Sequence, residues 1–220
     1  MKRILSIFIV VSAFVSAGCN MLFRVPIGVP ELIDTESFTV NEATPRDVSV
    51  TAVVLALVPS DGSMVLGGEA DGLASGEIQY NVADWKPVVT LDGSTLHIEQ
   101  ATPENNISST PKGSINSWDL QLGDTLEDIT ISMSTGNYTL TFADTLPDGI
   151  TIHVNAGVGN LKLEFPATVT ANVEIHRGPA GIATEGAWTN NGKVYSSGDS
   201  DPVWTVTVDF GVGNLTLASK

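Results

Sequence analysis

The chain has a single cysteine, Cys19, in 220 residues. One cysteine builds no internal disulfide framework and no multi-thiolate metal site. Charge is also scarce. Charged residues make up 16% of the sequence, against about a quarter of an ordinary domain. What charge there is has one sign: ten Lys and Arg stand against 25 Asp and Glu, a formal net charge of −15 at pH 7. A nucleic-acid interface needs a basic stripe to displace phosphate counterions, so no nucleic-acid partner is expected. The same imbalance repels anionic membrane surfaces and anionic wall polymers at long range. Beyond Cys19 no stretch sustains a 3.6-residue hydrophobic period, which argues against a helical core.

The first residues are different in kind. Lys2 and Arg3 precede an apolar run, Ile4 to Ala17, interrupted only by Ser6, Ser12 and Ser16. The small pair Ala17-Gly18 stands directly before Cys19. A charged start, a short apolar run and small residues at its end form a secretory signal, too short and wrongly flanked for a membrane-spanning helix. A cysteine at that junction reads as a lipidation site. Residues 1–18 are then a lipoprotein signal peptide, and Cys19 carries the anchor that holds the protein to the cell envelope. One position departs from the usual lipobox, since Ser16 stands where Leu is commonest. The alternative is an ordinary secreted protein with an incidental cysteine. Acylation consumes the thiol, so no cysteine nucleophile remains. Residues 19–35 contain Pro26, Gly28 and Pro30 and read as a lipidated tether. Residues 36–220 form the body, a length that suits one domain.

In the body, apolar residues alternate with Thr, Ser, Asn, Lys and Asp. Tyr138, Leu140 and Phe142 share a beat, as do Leu161, Leu163 and Phe165, and Trp204, Val206, Val208 and Phe210. Period two is the signal of a half-buried strand, and the fold class is all-β. The segments also repeat. Gly157 to Leu163 and Gly211 to Leu217 share Gly-Val-Gly-Asn-Leu-x-Leu at an offset of 54. Thr135-Gly136-Asn137-Tyr138 is a shorter relative, 23 residues before Gly159-Asn160, and Gly181-Ile182-Ala183-Thr184 a degenerate one after it. Such spacing predicts coils of a single-stranded β-solenoid-like stack, with a β-sandwich joined by hairpins as the alternative. At each corner Gly, and more readily than most residues Asn, could adopt φ > 0, and stacked Asn amides could bond from coil to coil. Leu161, Leu163, Phe165, Leu215 and Leu217 are expected inside.

Three groups of residues carry a family resemblance. They are Gly76 to Pro87 with its Tyr80-Asn81 and Trp85-Lys86-Pro87, Asn116 to Leu122 with its Trp118-Asp119, and the two Gly-Val-Gly-Asn-Leu segments. Together they resemble the toast-rack family, including the N-terminal toast-rack domain of bacterial envelope lipoproteins. Val54 to Gly62 departs from it by lacking a compact glycine corner in the first rung. The resemblance implies a rack of short strands, and relatives among adhesin domains and LiaF-type membrane regulators. It implies no enzyme.

The residues themselves point to no catalytic, cofactor or metal site. His97, His153 and His176 lie far apart in sequence, and His97 and His153 fall on polar beats, so they read as solvent-facing strand residues. Acidic pairs suited to polysaccharide cleavage are Glu69 with Asp71, Asp124 with Glu127 and Asp128, and Asp199 with Asp201. No basic residues gather beside them. The loop Ser196 to Asp201 has oxygen ligands for Ca²⁺ but not the spacing of a calcium loop. Of the tryptophans, Trp204 reads as core, Trp85 and Trp118 as caps of the stack, and Trp188 as the one most exposed. The expected function is a non-catalytic, surface-anchored binding or scaffold module for a protein or glycan, in adhesion or envelope-stress sensing. The alternative is an enzyme or accessory factor acting on wall or extracellular polysaccharide. A last expectation concerns Leu215-Thr216-Leu217, read as an open C-terminal strand edge through which the chain self-associates or captures a partner.

Overall fold

The structure is a computed structural model and describes residues 31–42, 50–57, 61–67, 72–100, 111–178, 181–199 and 201–220. The signal peptide, Cys19, Glu69, Asp71 and all but the end of the tether lie outside the described residues. Fourteen strands join into one sheet. In chain order they are β1 (Leu32–Glu42), β2 (Ala52–Leu57), β3 (Asp61–Leu66), β4 (Ala74–Val82), β5 (Pro87–Asp92), β6 (Thr95–Gln100), β7 (Asn116–Leu122), β8 (Asp128–Phe142), β9 (Thr151–Phe165), β10 (Thr170–Arg177), β11 (Gly181–Glu185), β12 (Thr189–Asn191), β13 (Val194–Ser196) and β14 (Val203–Ser219). A 3₁₀ turn, Ala83–Trp85, links β4 to β5.

The long strands β8, β9 and β14 are the rungs. Each has two halves separated by a glycine-containing corner. β8 pairs with β9, and β9 with β14, in parallel and in register through both halves. Shorter strands make the other rungs in two pieces. β2 and β3 pair with the two halves of β8, and β10 and β11 with those of β14. β6 and β7 lie outside β2 and β3. All these pairings are parallel, so the hairpin-joined sandwich is excluded: two-residue hairpins make antiparallel pairs only.

Alternation places the apolar beat of both halves in a single core. Ile129, Ile131, Ile152, Val154, Val206 and Val208 are buried from the first halves, and Leu140, Leu161, Leu163, Leu215 and Leu217 from the second. Phe142 stacks on Phe165 at 4.5 Å between ring centroids, and Trp188 meets Phe165 edge-on at 5.8 Å. Trp188 is therefore half-buried rather than the exposed aromatic expected. It gains more by covering Phe165 than by facing water, and its Nε1–H donates to the Glu185 carbonyl.

Gly159 and Gly213 both have φ of +141°. A Cβ on Gly159 would overlap the Gly136 carbonyl oxygen, and one on Gly213 the Gly159 carbonyl oxygen. The corners are thus glycine for two reasons, conformation and contact between successive rungs. Asparagine has no part in the first reason: no non-glycine residue among those described has positive φ. The reading of Asn as a second corner residue is corrected. Its role is the amide ladder described below.

Two further corrections concern topology. The rungs do not stack in sequence order. β14, the last strand, sits between β9 and the β10/β11 pair. The segment at Gly181 therefore aligns with Asn214 rather than following Asn160 directly. For the same reason Leu215-Thr216-Leu217 is not an edge. It is paired on one side by β9 and on the other by β11. Proximity to the chain end predicts an edge only when stacking follows the sequence, and here it does not. β1 begins at Leu32, within the segment read as tether, but its pairing with β4 is continuous only from Glu36, after a register shift.

Two of the segments that carried the resemblance, Gly76 to Pro87 and Asn116 to Leu122, lie toward the other end of the sheet. Gln100 donates to the Trp85 carbonyl at 2.7 Å and to Asn116 Oδ1 at 2.9 Å. Asn116 Nδ2 donates back to Gln100 Oε1 at 2.8 Å, and Trp118 Nε1–H reaches the same pair. All four residues are buried. The network ties the 3₁₀ turn, β6 and β7 together. Trp85 covers this end with Tyr80 and Val82, whereas Trp118 is a core residue on β7, an interior strand between β3 and β4, and not the cap expected.

Candidate functional site

Regular stacking turns each outward position into a rank running along the rack. Three ranks meet at the corner between the strand halves. The first is Ala56, Ser132, Asn155 and Asp209, from β2, β8, β9 and β14. Asn155 Nδ2 approaches Ser132 Oγ at 3.4 Å. Beside this rank lies a groove of about 610 Å³. Its lining is mostly apolar, with Leu57, Met133, Ala156 and Phe210, together with Ser132, Asn155 and Asp209, the corner residues Gly157 and Gly211, and Gln100 at one end.

The second rank is Thr135, Val158 and Val212. Val158 is 51% exposed and Val212 62%, so the middle residue of each Gly-Val-Gly stands out from the rack. The third rank is an amide ladder. Asn214 Nδ2 donates to Asn160 Oδ1 at 2.9 Å, and Asn160 Nδ2 to Asn137 Oδ1 at 2.6 Å. Asp61 Oδ1 closes it by accepting from the backbone N–H and Nδ2 of Asn137, at 2.6 and 2.9 Å. At the other end β11 places Gly181 beside Asn214. Each amide is fixed by its neighbour, so the rank is preorganised.

Farther along the second halves, the cations are already paired. Lys162 Nζ lies 3.0 Å from Glu185 Oε2 and 3.1 Å from Glu164 Oε1, and Lys220 Nζ lies 2.6 Å from Glu164 Oε1. Hydrogen bonds to Glu185 first and then to Glu164 raise the Lys162 ammonium above its ordinary value. The Lys220 hydrogen bond holds Glu164 below the ordinary carboxylate range. None of these side chains lines the groove.

The residues singled out from the sequence are not drawn into one site. His97 and His153 share an outward rank but are separated by β2 and β8. His97 Nδ1 lies 3.4 Å from Glu99, and His176 lies between Glu174 and Asp209 at 3.3 and 3.8 Å. Among the described residues no three His, Cys, Asp or Glu side chains are placed to hold a metal. Glu127 and Asp128 form the turn into β8, where both backbone N–H groups donate to the Thr51 carbonyl. In the loop before β14, Ser196 Oγ donates to the Gly198 carbonyl and Ser197 Oγ accepts from the Ala171 N–H. Those hydroxyls shape the loop. Sequence reasoning missed the valine rank, although the signal was present: within Gly-Val-Gly-Asn-Leu the valine stands on the outward beat.

The family model described as the N-terminal domain of toast_rack matches residues 32–180. No curated protein matches the chain. Among solved structures, a "putative cell adhesion protein" from Clostridium sporogenes shares 17% identity with a TM-score of 0.62, over 87% of this chain and all of that one. A "putative adhesin" from Bacteroides fragilis shares 12% identity with a TM-score of 0.39, over 88% of this chain and all of that one. The first shows that the rack is a known fold.

Proposed function

This chain belongs to the toast-rack family, and from that premise we propose that it is a non-catalytic binding module, anchored in the cell envelope through lipid on Cys19. The observation that carries the binding role is the corner. A largely apolar groove, bordered by Ser132, Asn155 and Asp209, lies next to exposed valines and a bonded ladder of amides. Such a surface recognises by fixed geometry and moves no protons. The naming of the Clostridium sporogenes structure as a cell adhesion protein is consistent with surface display. No helix among the described residues is long and apolar enough to cross a membrane, so anchoring rests on the amino-terminal sequence.

The test uses cells that make the full chain, cells that make Cys19→Ala and cells that lack the chain. The full chain is expected in the membrane fraction, with its body open to added protease. Cys19→Ala is expected in the medium or as uncleaved precursor. Normal maturation and membrane retention of that variant would refute the anchor. Unchanged cell–cell and cell–surface adhesion on loss of the chain would refute the binding role.

A further inference from the structure

The corner groove has an apolar floor. Leu57, Met133, Ala156 and Phe210 form one rank across β2, β8, β9 and β14. Ala156, the smallest of the four, is only half-buried. A groove of about 610 Å³ lined in this way holds apolar surface against water, which favours any apolar segment that can reach and cover it. Resting on the reading of the corner as a binding surface, we propose that the groove is the docking site of the chain's own tether. Residues 20–30 lie along it, and an outside partner gains the groove by displacing them.

Position selects this occupant. Glu31 marks where residues 20–30 join the body, and its carbonyl accepts from the Ala83 N–H at 3.4 Å. Ala83 opens the 3₁₀ turn, and the Trp85 carbonyl at the end of that turn accepts from Gln100 Nε2 at 2.7 Å. Gln100 lines the groove. The tether therefore leaves the body one short turn from the groove's Gln100 end. Length agrees. Strands lie about 4.8 Å apart, so from Gln100 on β6, past β2, β8 and β9, to Asp209 on β14 is about 19 Å. Arg24 precedes Glu31 by seven residues, an extended reach of about 23–25 Å. Composition agrees as well. Residues 20–30 include Met21, Leu22, Phe23, Val25, Ile27 and Val29, and Arg24 is their one charged residue. Pro26 and Pro30 bias the residues before them to extended backbone, which lowers the entropy lost on docking. Charge fixes the direction. An extended tether brings the Arg24 guanidinium to the far end of the groove, where the Asp209 side chain stands 40% exposed, 3.8 Å from His176.

The experiment uses the full lipoprotein in detergent and follows trypsin cleavage after Arg24 by the mass of the body that begins at Val25. That readout needs no lipid on Cys19. Variants are Ala156→Phe, which fills the groove, Asp209→Asn, which removes its carboxylate, and Thr139→Ala, on an outward rank away from the corner. Cleavage of a docked segment tracks the fraction that is undocked. Arg24 should be cut about tenfold or more faster in Ala156→Phe than in the wild type, and about threefold or more faster in Asp209→Asn, with Thr139→Ala unchanged. Circular dichroism checks that each variant is folded; if Ala156→Phe is not, Asp209→Asn carries the test. Equal rates in the wild type and the folded groove variants would overturn the proposal, whether the micelle shields the segment or nothing does. So would protection that fades on dilution, which would put a second copy's tether in the groove. If docking fails while adhesion still depends on the chain, this inference falls and the binding role stands.

Discussion

Replacing Gly159 by Ala adds one methyl group at the point where two rungs touch. The added Cβ would overlap the Gly136 carbonyl oxygen and lie 2.8 Å from its carbon. Neither atom can swing aside as a flexible side chain could, because both belong to the backbone of β8, paired in register with β9 at this position. Ala would also have to hold φ near +141°. Holding a non-glycine residue in such a region costs about 1–3 kcal/mol. Forcing a methyl into close-packed surroundings adds about 1–3 kcal/mol. Together they predict a loss of about 2–6 kcal/mol, a large part of the roughly 5–15 kcal/mol that a domain possesses. Gly192→Ala is the matched control. Gly192 has φ of +73° but nothing within 4 Å of its added Cβ, so only backbone strain of about 1–2 kcal/mol is expected. Urea unfolding, followed by circular dichroism and by fluorescence of the buried Trp118 and Trp204, measures both. Equal losses within about 0.5 kcal/mol would refute the argument that contact between rungs, beyond conformation, makes the corners glycine.

Leu163 is fully buried, and Leu163→Ala should cost about 2–5 kcal/mol in the same assay; a loss under about 1 kcal/mol would place it outside the core. Gln100→Ala leaves the Trp118 indole and Asn116 amide short of their buried partner and should cost about 1–3 kcal/mol. An unaltered urea midpoint would mean that the clasp contributes nothing. Burial first, and then the hydrogen bond to Glu36, push the Tyr80 phenol up from 10.0 to about 12. A raised folded value stabilises fully below pH 10 and is lost as pH climbs through about 12. The urea-midpoint gap between wild type and Tyr80→Phe should therefore be constant below pH 10 and narrow above it; a constant gap at high pH would contradict this. A chain ending at residue 202 lacks β14, the partner of β9, β10 and β11. Hydrogen exchange should show β9 to β11 losing protection together, whereas retained protection there would mean that β10 and β11 can dock directly on β9.

How much of this could be read beforehand depended on how local the cause was. Period two is local, so Leu161, Leu163, Phe165, Leu215 and Leu217 were placed inside correctly. The repeat at Gly157 and Gly211 is nearly local, because each copy needs the same corner, and it revealed a rack. The order of the rungs was not legible. β10 and β14 run parallel in register, yet neither sequence states which rung lies between them. The same gap misled the expectation of a C-terminal edge. Trp188 was misjudged because its neighbour Phe165 lies on another rung. Asp61 could not be recognised as the end of the amide ladder, since only the pairing of β3 with β8 brings it to Asn137.

The insertion of β14 also bears on how the corner is made. Asp209, Val212 and Asn214 supply one member to each of the three ranks, and all lie on this last strand. Without β14, Asn160 loses its incoming amide donor, the valine rank keeps only Val158 and Thr135, and the groove loses its carboxylate wall. A terminal rung would leave one face of these residues open. An interior rung fixes Asp209 and Asn214 from both sides, through β9 and through β10 and β11. Placing β14 in the middle of the stack therefore ties completion of the corner to completion of the core. A partly folded chain with a stable rack but an unformed corner is disfavoured, because the strand that forms the corner is also the one that joins the two parts of the rack.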